Sequence, residues 1–73
     1  MTSGTVVLNA SGVAQLPGGP FDPPPVALLT PVVDNGEFPI AGRIHLAITD
    51  GILFAASNAG AADADVVVNF LIL

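Results

Sequence analysis

The stretch "RIHLAITDGILFAAS", residues 43 to 57, places two apolar runs on either side of the dipeptide Asp50-Gly51. Asp-Gly is typical of the two-residue turn that joins adjacent antiparallel strands, because both central residues of that turn need a positive φ. The stretch therefore predicts a β-hairpin with Thr49 opposite Ile52. The register then pairs a large side chain with a small one at two further positions, Leu46 with Ala55 and Phe54 with Ala47.

Because side chains alternate along a strand, this register divides the hairpin between two faces. Neither face is polar, and strands that are apolar on both sides are covered on both sides. We expect one face to meet the internal core and the other to meet a different chain. One face carries Ile44, Leu46, Ile48 and Leu53, and the other carries His45, Ala47, Thr49, Ile52 and Phe54.

Upstream, residues 16 to 33 read "LPGGPFDPPPVALLTPVV", with five prolines and two glycines within residues 17 to 25. Proline fixes its own φ and lacks an N–H group, so this segment cannot lie in the middle of a sheet. It predicts a stiff crossover between two sheets, anchored by Phe21 in the apolar interior; a proline-recognition ligand is the alternative. Residues 26 to 30 then predict a strand that is apolar on both sides and ends at Pro31.

Two further stretches predict strands near the ends of the chain. Residues 5 to 8 and 13 to 16 flank the turn-forming cluster "NASG", which predicts a second hairpin. Asn9 in this cluster also matches an N-glycosylation acceptor, which is the alternative interpretation. Residues 66 to 73 are β-branched and aliphatic and predict the closing strand.

The remaining segments complete an all-β prediction. Residues 34 to 37 predict a polar turn, and Pro39 restricts residues 38 to 42 to a loop or an edge strand. No segment carries the 3.6-residue apolar period of a helix. We predict one domain, residues 1 to 73, folded as a small antiparallel β-sandwich of about six to seven short strands.

Three polar side chains near the closing strand need an explanation. Asn69 is the single polar residue inside the run, so we expect a buried, hydrogen-bonded amide that sets register or subunit pairing; a ligand contact is the alternative. We expect Asp63 and Asp65 to lie on the same side, as a solvated pair that prevents edge pairing. Calcium binding together with loop carbonyls is the alternative for this pair.

The composition indicates a domain that needs partners. Apolar residues make up 52% of the chain and charged residues 10%, too little charge to cover a small domain. A core of this size is marginal without disulfides, a metal or partner subunits. The chain has no cysteine, and one histidine and six scattered carboxylates form no recognisable ligand set, so we expect no metal and no cofactor. Of these three ways to stabilise a small core, association with partner subunits is the one that remains.

Charge and run length exclude two classes of partner. Six acids against Arg43, the only Lys or Arg, give a net charge of −5, which excludes nucleic-acid binding through phosphate contacts. No apolar run reaches the roughly 18 to 20 residues of a spanning helix, so we expect no membrane partner. No positively charged segment precedes an apolar one, so no secretory signal is expected.

A catalytic constellation has few groups to draw on. His45 is the only histidine, and it could act as a general base towards a serine with Asp50 orienting it. The candidate serines are Ser3, Ser11 and Ser57. Nothing in the spacing favours this triad, and no nucleophile elbow, phosphate-binding loop or metal motif occurs. We expect no enzyme, with His45 packed at an interface or facing solvent; a minimal hydrolase is the last-ranked alternative.

Three short motifs occur in order along nearly the whole chain: an opening G-T-x-x-L-x-x-x-G, a "PP-V" strand, and "F-x-A-S-N" before a loop that contains aspartates. In this order they are similar to the small lectin-like β-sandwich modules of bacteriophage tail and fibre proteins, the H-type-lectin-like group. The matching residues are Gly4, Thr5, Leu8, Gly12, Pro24, Pro25, Val26, Phe54, Ala56, Ser57, Asn58 and Asp65.

The resemblance implies a virion component: a trimer, or a dimer of trimers, whose subunits share an apolar interior. Lectin activity is not carried over, because the chain has no Trp and no Tyr to build a sugar platform. The chain begins at Met1, whereas fibre modules end long chains, which favours a capsid decoration protein as the first alternative. Binding of a host surface glycan by residues 34 to 36 and 58 to 65 is the second alternative.

These observations predict a non-enzymatic structural protein of a phage virion, either tail- or fibre-associated or a surface accessory homotrimer. It is expected to act by association of apolar sheet faces with its own copies and with a larger virion protein. The residues expected at these interfaces are Pro23, Pro24, Pro25, Leu28, Ile44, Leu46, Ile48, Phe54, Asn69, Phe70 and Leu71.

Overall fold

The computed structural model describes residues 1–32 and 42–73, and this part of the chain is all-β, as predicted. It contains a 3-10 helix, Gly60–Asp63. The predicted turn at residues 34 to 37 and nearly all of the predicted edge segment at 38 to 42 lie outside the described residues. The strands are β1 (Thr2–Val7), β2 (Val13–Gln15), β3 (Ala27–Pro31), β4 (Ile44–Thr49), β5 (Ile52–Ser57) and β6 (Val67–Ile72).

These six strands form two antiparallel sheets of three strands each. Sheet A has the order β1-β6-β3, and sheet B has the order β2-β5-β4. The proline-rich segment leaves β2 in sheet B and enters β3 in sheet A, which confirms the predicted crossover. Phe21, its predicted anchor, packs against the core and donates its backbone N–H to the carbonyl of Gly51 at 2.8 Å.

The predicted hairpin of residues 5 to 8 and 13 to 16 is wrong. The turn between them forms, but β1 pairs with β6 and β2 pairs with β5, so this turn joins two sheets. The physical reason is the number of residue pairs that each partner can form with β1. Strand β2 has three residues, whereas β6 pairs with all six residues of β1. The Asn9 side chain shapes the turn, because its Oδ1 accepts N–H bonds from Ser11 at 2.8 Å and Val13 at 3.2 Å.

The hairpin of β4 and β5 has the predicted register throughout. Thr49 pairs with Ile52, and Asp50 and Gly51 have φ values of 51° and 80°. Both central turn residues thus adopt the positive φ that a type I′ turn requires. The remaining pairs include Leu46 with Ala55 and Ala47 with Phe54.

The core lies between the sheets and takes side chains from both. Its buried members are Leu8, Leu16, Leu53, Ala55, Val68, Phe70 and Ile72. Alternation along β6 sends every second side chain into this core and leaves the intervening ones on the opposite side of sheet A. A core this small leaves a large fraction of the apolar side chains outside it.

Candidate functional site

The side of sheet A that faces away from the core is the main candidate site, and we call it the sheet A outer face. In β6 its members are Val67, Asn69 and Leu71. The registers with β1 and β3 set the neighbouring side chains beside them in rows that cross the sheet. The rows are Val7-Val67-Val32, Thr5-Asn69-Thr30, Ser3-Leu71-Leu28 and, at the end, Leu73-Val26.

The rows alternate in chemistry. One all-valine row and one leucine-containing row flank a central row whose side chains are all polar. No Asp, Glu, Lys or Arg occurs in any of them, although the chain has a net charge of −5. Four of the apolar members are more than half exposed: Val7, Val26, Leu28 and Leu73. Contiguous exposed apolar side chains on this scale are typical of a contact surface.

The polar row contains the asparagine that the sequence singles out. Thr5 Oγ1 donates a hydrogen bond to Asn69 Oδ1 across the two strands, at 2.9 Å. The expectation that Asn69 is buried is wrong for the single chain, in which this side chain is exposed. The alternation of β6 explains the difference, because burial of Val68 and Phe70 turns Asn69 to the outside.

The structure divides the predicted interface residues among several places. Leu28, Asn69 and Leu71 lie on the sheet A outer face, and Phe54 lies on the outer face of sheet B. Phe70 is 7% exposed and belongs to the internal core, so it does not lie on the sheet A outer face. The three β4 residues Ile44, Leu46 and Ile48 point to the inner side of sheet B, and Pro23, Pro24 and Pro25 lie in the crossover.

A second feature, a partly buried ion pair, was not predicted. Arg43 precedes β4, Asp63 ends the 3-10 helix, and the two carboxylate oxygens of Asp63 accept from Arg43 Nη2 at 2.7 Å and Arg43 Nε at 3.0 Å. The Ser57 hydroxyl donates to Asp63 as well and accepts from the N–H of Ala59 at 3.0 Å. One feature of the sequence could have indicated this pair: Arg43 is the only Lys or Arg in an acidic chain.

These hydrogen bonds set the charge state of the site. The bonds from Arg43 and from Ser57 stabilise the carboxylate and lower the pKa of Asp63 from 3.8 to about 2. Asp63 is 2% exposed whereas Asp65 is exposed, so the predicted solvated pair is wrong. In the described residues, no group of three or more His, Cys, Asp or Glu side chains could hold a metal ion. The hydrogen bonds of Arg43 and Ser57 to Asp63 join the base of the β4–β5 hairpin to the 3-10 helix.

The structure does not bring together His45, Asp50 and Ser57, the triad considered as an alternative from the sequence. His45 pairs with Ala56 and Ile44 with Ser57, so His45 points to the outer side of sheet B and Ser57 to the inner side. Asp50 lies in the turn at the far end of the hairpin. His45 is exposed to solvent.

An open groove of about 430 Å³ lies between the edges of the two sheets. It is lined by residues 4 to 6, residues 15 to 17 and Phe70, whose ring packs against Gly4. Thr5 and Gln15 supply the polar side chains of this lining, and none of its side chains is ionisable. The groove therefore offers hydrogen bonds and apolar contact.

In comparisons with protein-family models, curated proteins and solved structures, nothing matched the chain. Among the residues that the structure describes, no helix is long and apolar enough to cross a membrane.

Proposed function

We propose that this protein is a non-enzymatic structural subunit that assembles with its own copies through the sheet A outer face. The observation that supports the proposal is the set of exposed, uncharged apolar rows on a chain that otherwise carries excess negative charge. Copies with a net charge of −5 repel one another, and an uncharged face is where that repulsion is smallest.

An interface of standard size is compatible with the total surface of the chain. A standard interface covers roughly 800 Å² on each partner. The chain has a total accessible surface of 4360 Å², so one such interface takes about a fifth of it. The apolar rows contribute through burial, and the polar row of Thr5, Asn69 and Thr30 adds hydrogen-bonding groups that favour one alignment of the copies.

The location of the assembly, in a virion, is proposed from the sequence motifs. Their similarity to phage tail and fibre modules supports a homotrimer in a virion, docked on a larger virion protein. The proposal includes no sugar-binding role, because the exposed rows contain no aromatic side chain. Immunolabelling of native particles of the phage that encodes the chain tests this location, and particles that lack the protein would refute it.

Leu28→Glu tests the assembly. Leu28 is exposed in the single chain, so the variant is expected to fold, while each new carboxylate would be buried in the interface. We expect at least a tenfold loss of association, measured by analytical ultracentrifugation at micromolar concentration.

Gln15→Glu is the matched control, since it adds the same charge at an exposed position on the edge strand of sheet B. Its sedimentation should equal that of the wild type. A wild-type protein that sediments as a folded monomer would refute the proposal.

A further inference from the structure

The central row of the sheet A outer face keeps hydrogen-bonding capacity. Thr5 Oγ1 donates to Asn69 Oδ1 at 2.9 Å, and Thr30 lies on the other side of Asn69 in the same row. All three residues are exposed. An asparagine amide has two N–H donors and an oxygen with two lone pairs, so this bond leaves one lone pair and both N–H groups of Asn69 for further partners. Such an amide can bind a second amide of the same kind.

The order of the rows gives this face a direction. From the start of β6 the valine row comes first, the polar row second and the leucine-containing row third, and the row of Leu73 and Val26 comes last. On the other side of the valine row the chain holds Asp65, an exposed acid. The polar row is therefore not central, because one apolar row lies on one side of it and two lie on the other.

Two copies that face each other with opposite strand directions cannot match this order. If polar row meets polar row, the row of Leu73 and Val26 lies opposite Asp65 of the second copy, and apolar side chains face a carboxylate. If the four rows are centred on one another, Asn69 lies opposite Leu71 of the second copy. Its amide then loses water without gaining a hydrogen-bond partner, which is unfavourable.

Copies with the same strand direction match at every row. A rotation about an axis parallel to β6 keeps each row at its own level, so valine meets valine, amide meets amide and leucine meets leucine. Sheets that pack face to face commonly keep their strand directions within about 30° of each other, which this arrangement satisfies. A second copy of this chain supplies the same rows in the same order and without a charge, so it is the occupant that fits the face.

We propose that the copies pack through the sheet A outer face with their β6 strands parallel, each row against the same row, and with Asn69 hydrogen-bonded to Asn69 of a neighbouring copy. The inference rests on the proposed self-assembly and adds the orientation of the copies. A dimer and a trimer both satisfy it, because two-fold and three-fold axes parallel to β6 keep the rows level. The polar row then sets the register of the interface, as a single buried asparagine does in a coiled coil.

Cross-linking of single cysteines tests the orientation, because the chain has no cysteine of its own. Packed sheets lie about 10 Å apart, beyond the range of a disulfide, so a short bismaleimide is the reagent. Leu71→Cys and Val67→Cys should each be linked to their own copy. With opposite strand directions matched at Asn69, residue 71 would instead lie opposite residue 67, about 13 Å along the strand from its own copy.

A mixed experiment separates the two strand directions. Leu71→Cys and Val67→Cys are co-expressed with a size tag on one of them, so a link between residues 71 and 67 gives a product of intermediate mass. Parallel β6 strands should give the two same-residue products and no mixed product. Gln15→Cys is the control, because residue 15 is exposed on sheet B, outside the proposed interface, and it should stay unlinked.

Asn69→Leu tests the polar row. The residue is exposed in the single chain, so the variant is expected to fold, and its interface is more apolar. Association, measured by analytical ultracentrifugation, should persist. With an apolar side chain at position 69, the centred arrangement with opposite strand directions also matches, so the mixed product of residues 71 and 67 should appear. Same-residue products alone in Asn69→Leu would overturn the role of the polar row in setting the register.

The outcomes separate this inference from the proposed function. Loss of assembly in Leu28→Glu, together with a mixed product in place of the same-residue products, would overturn the parallel orientation and leave assembly through sheet A standing. Assembly that persists in Leu28→Glu would overturn the proposed function and this inference with it. Linking of Gln15→Cys to the same extent as Leu71→Cys would overturn the inference as well, since the links would then report random collision.

Discussion

At the scale of single residues, the Asp63 carboxylate is closely surrounded by hydrogen-bond donors. It is almost fully buried, and hydrogen bonds from Arg43 and Ser57 satisfy both of its oxygens. Buried charges are tolerated in proteins when they are paired and hydrogen-bonded, and removal of one partner leaves an uncompensated charge. We therefore expect the ion pair to stabilise the fold.

This environment predicts a dependence of stability on pH. The pKa of Asp63 is about 2 in the folded protein, below its ordinary value of 3.8, so folding favours the ionised form. The resulting stabilisation is complete above about pH 4 and is lost as the pH falls through about 2. Urea unfolding between pH 5 and pH 2 should show this loss in the wild type.

Two variants serve as the test and its control. Asp63→Asn should lower the unfolding midpoint at pH 7 by on the order of ten degrees, because Arg43 loses its carboxylate partner, and should flatten the acid dependence. Asp65→Asn, at an exposed position, should leave the acid limb as in the wild type. If stability falls equally between pH 5 and pH 2 in Asp63→Asn and in the wild type, Asp63 is not the cause of the pH dependence.

At the scale of elements, the β1–β2 turn packs closely against the 3-10 helix. Gly12 has a φ of +77°, and a Cβ atom at this residue would lie 2.2 Å from the carbonyl oxygen of Gly60. The carbonyl of Gly12 also accepts the N–H of Ser57 at 2.9 Å. Only glycine fits both the backbone conformation and the space.

Gly12→Ala is therefore expected to lower the free energy of unfolding by about 2 kcal/mol or more, from the positive φ and the backbone clash together. Gly42→Ala is the matched control, because its Cβ would meet nothing within 4 Å. That variant should stay within about 0.5 kcal/mol of the wild type in urea denaturation. An equal loss in both variants would show that the contact with Gly60 does not matter.

At the scale of the whole molecule, the described chain has a small core and an outer face with exposed apolar side chains. If copies cover that face, folding and association are coupled, and stability depends on protein concentration. We expect the unfolding temperature to rise by roughly 5 to 10 degrees over a hundredfold increase in concentration. Differential scanning calorimetry measures this directly. Leu28→Glu should abolish the rise, and a wild-type value that is independent of concentration would contradict the coupling.

The sequence alone determined the features that depend on near neighbours. The Asp50-Gly51 turn set the register of β4 and β5, and the prolines of residues 17 to 25 required a crossover between sheets. Both follow from the allowed φ values and hydrogen-bonding groups of a few adjacent residues.

Only the tertiary structure decided the long-range pairings. The choice of β6 rather than β2 as the partner of β1 joins opposite ends of the chain, and this choice placed Asn69 beside Thr5. The burial of Asp63 likewise depended on Arg43, twenty residues away. Such contacts are decided by competition among all surfaces for the same core, which no local pattern of residues encodes.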